Sequence, residues 1–154
     1  MAAAFIVPIG LLAIGENTVY GGDQADKMET DRRAVAAVVD IELSLGRVPE
    51  VMAHNNPGYD ILSLDPETGV RYFIEVKGHL PQTFEIKVSA QQVQKAKTNP
   101  TQWRLAVASV PADPDGTPKV RYLVEPFADV NLHFAQTCVP LNVLSLLASS
   151  VDPV

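Results

Sequence analysis

The stretch that decides the fold is YDILSLDPETGVRYFIEVKG, residues 59–78. Runs of β-branched, aromatic and aliphatic residues flank DPETG, whose Asp, Pro and Gly are turn formers, so the stretch reads as a β-hairpin. With the turn centred between Glu67 and Thr68, Asp60 falls opposite Glu75 on one face of the sheet, with Cβ atoms about 5 Å apart. Lys77, two residues past Glu75, projects from that same face. Facing carboxylates repel unless a cation lies between them or one takes up a proton. Oxygen ligands at this separation suit a hard divalent ion, Mg2+ or Mn2+, completed by water and a backbone carbonyl. A lysine beside such an ion can orient an attacking water and offset charge on a phosphorane-like transition state, which is the chemistry of phosphodiester hydrolysis. The competing reading of the same three residues is a solvated hairpin face carrying a lysine and two carboxylates.

Upstream, DRRAVAAVVDIELSLG (31–46) predicts a helix, with Asp31 as N-cap and Gly46 where a terminating Gly belongs. Val35, Val38, Glu42 and Leu45 follow the spacing of one buried face. An acid in that line needs a cation or a hydrogen-bonded partner, or else it lies at the edge of the stripe and reaches solvent. Strands are expected at VPEVMA (48–53), TFEIKV (83–88), WRLAVASV (103–110) and KVRYLVEP (119–126). SAQQVQKAK (89–97) and VPLNVLSLLAS (139–149) read as helices, the second with Pro140 in its first turn. PADPDGTP (111–118) reads as a long hairpin connection. This order predicts an α/β layer structure with a mixed sheet.

The chain has 154 residues, 47% of them hydrophobic and 19% charged, which is enough for one globular domain with its own core. Its one cysteine, Cys138, excludes an internal disulfide and a Cys-rich zinc site. Eighteen acidic residues against twelve basic ones leave a net charge of -6, a poor basis for gripping nucleic acid by charge alone. The apolar residues 1–14 lack a basic leader, are interrupted by Pro8 and are too short to span a bilayer, so they read as a buried strand or hydrophobic arm. Residues 15–30 read as a polar linker, which gives an arm and linker over 1–30 and a single domain over 31–150. With no signal sequence and no disulfide framework, the expected location is the cytoplasm.

Asp60 followed by Glu75, Val76 and Lys77 on the next strand, after a helix carrying Glu42, resembles the PD-(D/E)xK nuclease superfamily. More specifically, ELSLGRVPE (42–50), NNPGYDILS (55–63) and RYFIEVKG (71–78) resemble the C-terminal domain of NO VEIN proteins. The likeness runs over roughly residues 30 to 150. It implies a restriction-endonuclease-like αβββαβ core, a mixed sheet flanked by helices, with an extra C-terminal strand and helix. It also implies a Mg2+-dependent DNA nuclease module at the end of, or partnered with, a helicase-type defence protein. Asp60, Glu75 and the Val76 carbonyl would be metal ligands, Lys77 the catalytic lysine and Glu42 a helix acid completing the site. A polar residue from the second helix often joins such sites, and the matching position here is Gln92, where relatives often carry Glu. Ser89 and Gln92 also form a capping box, which accounts for Gln92 without catalysis, and both roles can coexist. The alternative function is a catalytically silent fold that binds DNA ends or docks a protein, although such a domain has no physical reason to keep two facing carboxylates and a lysine.

Secondary expectations follow from single residues. Gly58 would leave room beside Lys77, and His79 is read as a surface residue. Trp103 is read as core rather than a base-stacking platform, and Cys138 as a small buried hydrophobe. Lys87, Lys95, Lys97 and Arg104 form either a small basic lip or a solvated face.

Overall fold

The hairpin forms with the expected register. In the computed structural model, which describes residues 17–154, strands β2 (Ile61–Leu64) and β3 (Arg71–His79) pair antiparallel with Ile61 opposite Ile74 and Leu64 opposite Arg71. The turn closes because the Asp65 carboxylate accepts the backbone N–H groups of Glu67 (2.9 Å) and Thr68 (3.1 Å). Strand β1 (Val48–Val51) flanks β2, while β5 (Trp103–Ser109) and β6 (Lys119–Val124) continue the sheet beyond β3, in the order β1-β2-β3-β5-β6. Only the β3 to β5 pairing is parallel, and it needs a crossover, which helix α2 (Ala90–Thr98) supplies. β5 is buried along nearly its whole length, as its unbroken run WRLAVA requires of a central strand covered on both faces.

Two cores lie on the two sides of this sheet. Ile74, Val76, Ala106, Ala108 and Tyr122 point towards helix α1 (Asn17–Ser44) and meet Ala34 and Val38. Trp103, Leu105, Val107 and Leu123 point the other way, against α2, and meet Val88, Val93 and Phe127. Because strand side chains alternate, Phe73, Glu75 and Lys77 belong to the α2 side.

Three expectations are corrected. The helix expected from Asp31 begins at Asn17, so Thr30 and the residues before it back to 17, read as linker, are helical, and Asp31 lies inside the helix instead of capping it. Its C-terminus is as expected: Gly46, at φ 77°, closes a two-bond cap in which Arg47 N–H reaches the Glu42 carbonyl and Gly46 N–H that of Leu43 (3.0 Å each). The TFEIKV strand, β4 (Glu85–Ser89), leaves the main sheet and pairs with β7 (Cys138–Asn142) in a separate two-stranded sheet. The helix expected over 139–149 is therefore a strand and a shorter helix, α3 (Val143–Ser149), capped by Asn142. Pro140, which has no N–H to give a ladder, sits in that short strand opposite Lys87. The apolar segment 1–14 lies outside the described residues.

Candidate active site

Asp60 lies where β2 ends and its chain turns off the ladder. Its N–H still reaches the Ile74 carbonyl (2.9 Å), and its Oδ2 accepts the Val76 N–H (2.8 Å), so the carboxylate takes the place that a further β2 residue would hold. A strand residue sends its N–H and C=O to the same side, which leaves the Val76 carbonyl facing the same open edge as Asp60. Glu75, one residue back and level with Asp60, is buried at 2% exposure. Its Oε1 lies 2.7 Å from the Lys77 ammonium and accepts a short hydrogen bond from Gln92 Nε2. Its Oε2 is buried with no hydrogen-bond partner.

Gln92 makes the expected capping box and also contacts Glu75. Its Oε1 accepts the Ser89 N–H (2.8 Å) while Ser89 Oγ accepts the Gln92 N–H (3.2 Å), a complete capping box that starts α2. The amide nitrogen left over is the one that reaches Glu75.

Burial, reinforced by the Asp60 charge and opposed by Lys77, pushes the Glu75 carboxyl up to about 7. Asp31, on α1, is also held above its ordinary range, first by desolvation; Lys27, Lys77 and His54 pull it down and Asp60 pushes it up. The sequence places Asp31 at the helix start; with the helix running through, it lies exposed one turn before the buried Ala34.

Glu42 is the expectation that the structure moves. It is fully buried, but on the α1 side, where its Oε1 accepts the Tyr122 hydroxyl (2.6 Å) and Arg47 approaches Oε2 at 3.2 Å. Eleven residues separate it from Asp31, roughly 16 Å along the helix, and Glu75 points to the opposite face of the sheet. It meets a partner within the fold and does not join the cluster.

The secondary residues divide in the same way. Trp103 is core, 1% exposed, and its indole donates to the Gly58 carbonyl (2.9 Å). His79, expected at the surface, is buried at 5% exposure with its Nδ1 by the Leu80 carbonyl. Arg104 is no part of a basic lip: it is buried on the α1 side against the Tyr72 ring. Lys97 bonds the Val130 carbonyl (2.5 Å), whereas Lys95 lies over the rings of Tyr59 and Phe73. Gly58 makes room for Lys95 rather than for Lys77, since a Cβ there would lie 3.0 Å from Lys95 Cβ. Cys138 is half-buried and free.

Among the described residues no three His, Cys, Asp or Glu side chains form a ready-made metal cage. Asp60 Oδ2 is bound to the Val76 N–H and Glu75, level with it, keeps Oε2 unpartnered; oxygen donors of this kind are the type that suits Mg2+ or Mn2+.

A five-stranded mixed sheet flanked by helices defines the class: a restriction-endonuclease-like fold. The structure of Hjc from Archaeoglobus fulgidus, a Holliday junction resolvase, superposes with a TM-score of 0.51 over 79% of this chain and 90% of that one, at 15% identity, so the likeness is one of fold. Within that class the chain belongs to the family described as "Protein NO VEIN, C-terminal", whose sequence pattern matches residues 30–123. Comparison with curated proteins gives no match. Among the described residues no helix is long and apolar enough to cross a membrane.

Proposed function

We propose that the chain is a Mg2+- or Mn2+-dependent DNA nuclease module that acts in the cytoplasm on DNA presented by a helicase-type protein in the same or a partner chain. The observation that carries this reading is the Glu75 carboxylate: one oxygen is held by Lys77 and Gln92, and the other is buried, unpartnered and level with Asp60. Leaving a carboxylate oxygen desolvated without a partner costs on the order of 1–3 kcal/mol or more, a cost that a cation removes.

Asp60, Glu75 and the Val76 carbonyl would hold the ion, which supplies activation of a water and neutralisation of charge on the phosphate. The chain's own residues do the rest. The Val76 N–H fixes Asp60, and Gln92 fixes Glu75 from the first turn of α2. The Lys77 ammonium, anchored on Glu75, offers its other protons to an attacking water and to the phosphoryl oxygens. Asp31, exposed on α1, feels the Lys77 charge. The net charge of -6 supports a module that takes its grip on DNA from a larger assembly.

The test is incubation of single- and double-stranded DNA with the purified chain in Mg2+ or Mn2+, beside Asp60→Ala and Lys77→Ala. Metal-dependent cutting that falls at least 100-fold, an order-of-magnitude expectation for loss of one such group, is the expected result. Absence of cutting by the wild-type chain, or cutting that survives both substitutions, overturns it.

A further inference from the structure

Next to the carboxylates stands a wall that neither the cap nor the cluster uses. Tyr59 immediately precedes Asp60. Phe73 lies two residues before Glu75 on the same face of β3, about 6.6 Å along the strand. The two rings, both partly buried, meet at 5.0 Å between centroids with a tilt of 57°. Lys95, one turn beyond Gln92 on α2, places its ammonium 4.5 Å from the Phe73 centroid and 5.4 Å from that of Tyr59. Among the described residues no carboxylate pairs with Lys95.

The wall is held from behind. Trp103 Nε1 donates to the Gly58 carbonyl (2.9 Å) and Asn56 Nδ2 to the Tyr59 carbonyl (2.8 Å), which pins the backbone carrying Tyr59. The Lys95 stem lies directly against Gly58, where any side chain would displace it. A partly buried aromatic face beside an unpaired cation matches the two halves of a nucleotide: the base has a π-face to stack, and the phosphate has a charge to meet. In a duplex the base faces are already covered by their neighbours, so only an unpaired or unstacked base can use the ring.

Resting on the nuclease reading above, we propose that Tyr59, Phe73 and Lys95 form a subsite for the nucleotide adjoining the phosphate at Asp60 and Glu75. The base lies against Tyr59, the phosphate meets Lys95, and the subsite makes the module select unpaired DNA.

The test is fluorescence anisotropy with a labelled single-stranded oligonucleotide and a blunt duplex of the same sequence, in Ca2+ to permit binding, with cleavage in Mg2+ followed separately. The wild-type chain should prefer the single strand. Tyr59→Ala should weaken single-strand binding roughly 5- to 150-fold, the range measured for loss of one stacking platform, and leave the duplex within about twofold. Tyr59→Phe should restore it. Lys95→Met, a half-exposed position that gives a second readout if Tyr59→Ala melts early, should lower the salt slope of single-strand binding by about 0.7. Equal losses for both substrates, or single-strand binding untouched in a folded Tyr59→Ala and in Lys95→Met, overturn the subsite. Cutting that needs Asp60 and Lys77 but ignores Tyr59 overturns the subsite alone; strand-selective binding by a chain that never cuts overturns the nuclease reading alone.

Discussion

Glu75 carries the largest electrostatic load of any residue in the candidate site, and its pH behaviour follows from that. With its folded value near 7 against an ordinary 4.5, the folded chain keeps a proton there that the unfolded chain has released. In metal-free protein this contribution is full below about pH 4.5 and is lost as the pH rises through 7, a swing of roughly 3 kcal/mol. Thermal melts in a chelator should therefore show a Tm that falls between pH 5 and 8, a fall that Glu75→Gln flattens and that Mg2+ reverses in the wild-type chain. A pH-independent Tm in the chelator would remove the buried, cation-seeking carboxylate from the argument. The pairing behind this was legible in sequence, because turn formers at 65–69 and strand residues on either side leave one register in which Asp60 meets Glu75. The double duty of Gln92 was legible as two competing roles; that one amide serves both depends on where α2 lies over β3, which no local pattern encodes.

Elements place the site by how closely they approach, and the tightest approach is α1 against β3. A Cβ on Gly78 would lie 2.9 Å from Ala34 Cβ and 3.1 Å from the Thr30 carbonyl, so the helix rests on bare backbone one residue from Asp31. Gly78→Ala should cost about 1–3 kcal/mol through overpacking and lift α1 from the strand. Cutting should then fall by more than the loss of folded protein explains, because the strand backbone next to Lys77 shifts. Gly46→Ala is the comparison: it strains a left-handed cap at φ 77° with nothing within 4 Å, so it should lower Tm and leave cutting by the folded fraction unchanged. Chemical denaturation run beside cleavage assays reads both. The glycine after IEVK is thus a spacing requirement at the element scale. Where the secondary-structure reading failed, it failed at element ends. Short apolar runs such as 139–149 fit strand and helix alike, and the choice was made by β4, whose backbone needed a partner strand.

Across the whole molecule, two buried acids do opposite jobs on opposite faces of one sheet. Glu75 keeps an oxygen without a partner, while Glu42 has all of its neighbours inside the fold: Tyr122 from β6 and Arg47 from the turn after α1, with Arg47 in turn 4.1 Å over the Tyr72 ring. Helical periodicity marked Glu42 as an acid among apolar residues and could not say which face of the sheet its helix would cover, so a cation and a hydrogen-bonded partner both stayed open. The partners are an arginine five residues on, which sequence proximity alone made plausible, and a tyrosine 80 residues away, which it did not. The two roles separate by experiment. Glu42→Ala strips one side of a buried ion pair and leaves Arg47 and the Tyr122 hydroxyl uncompensated, so it should cost about 3–5 kcal/mol, or roughly 10 °C in Tm for a domain of this size. Cutting per folded molecule, measured well below that lowered Tm, should stay at the wild-type rate, and its metal dependence should not shift. A Glu42→Ala chain that melts normally but loses metal-dependent cutting would return Glu42 to the site and require α1 to carry its acid to the other side of the sheet.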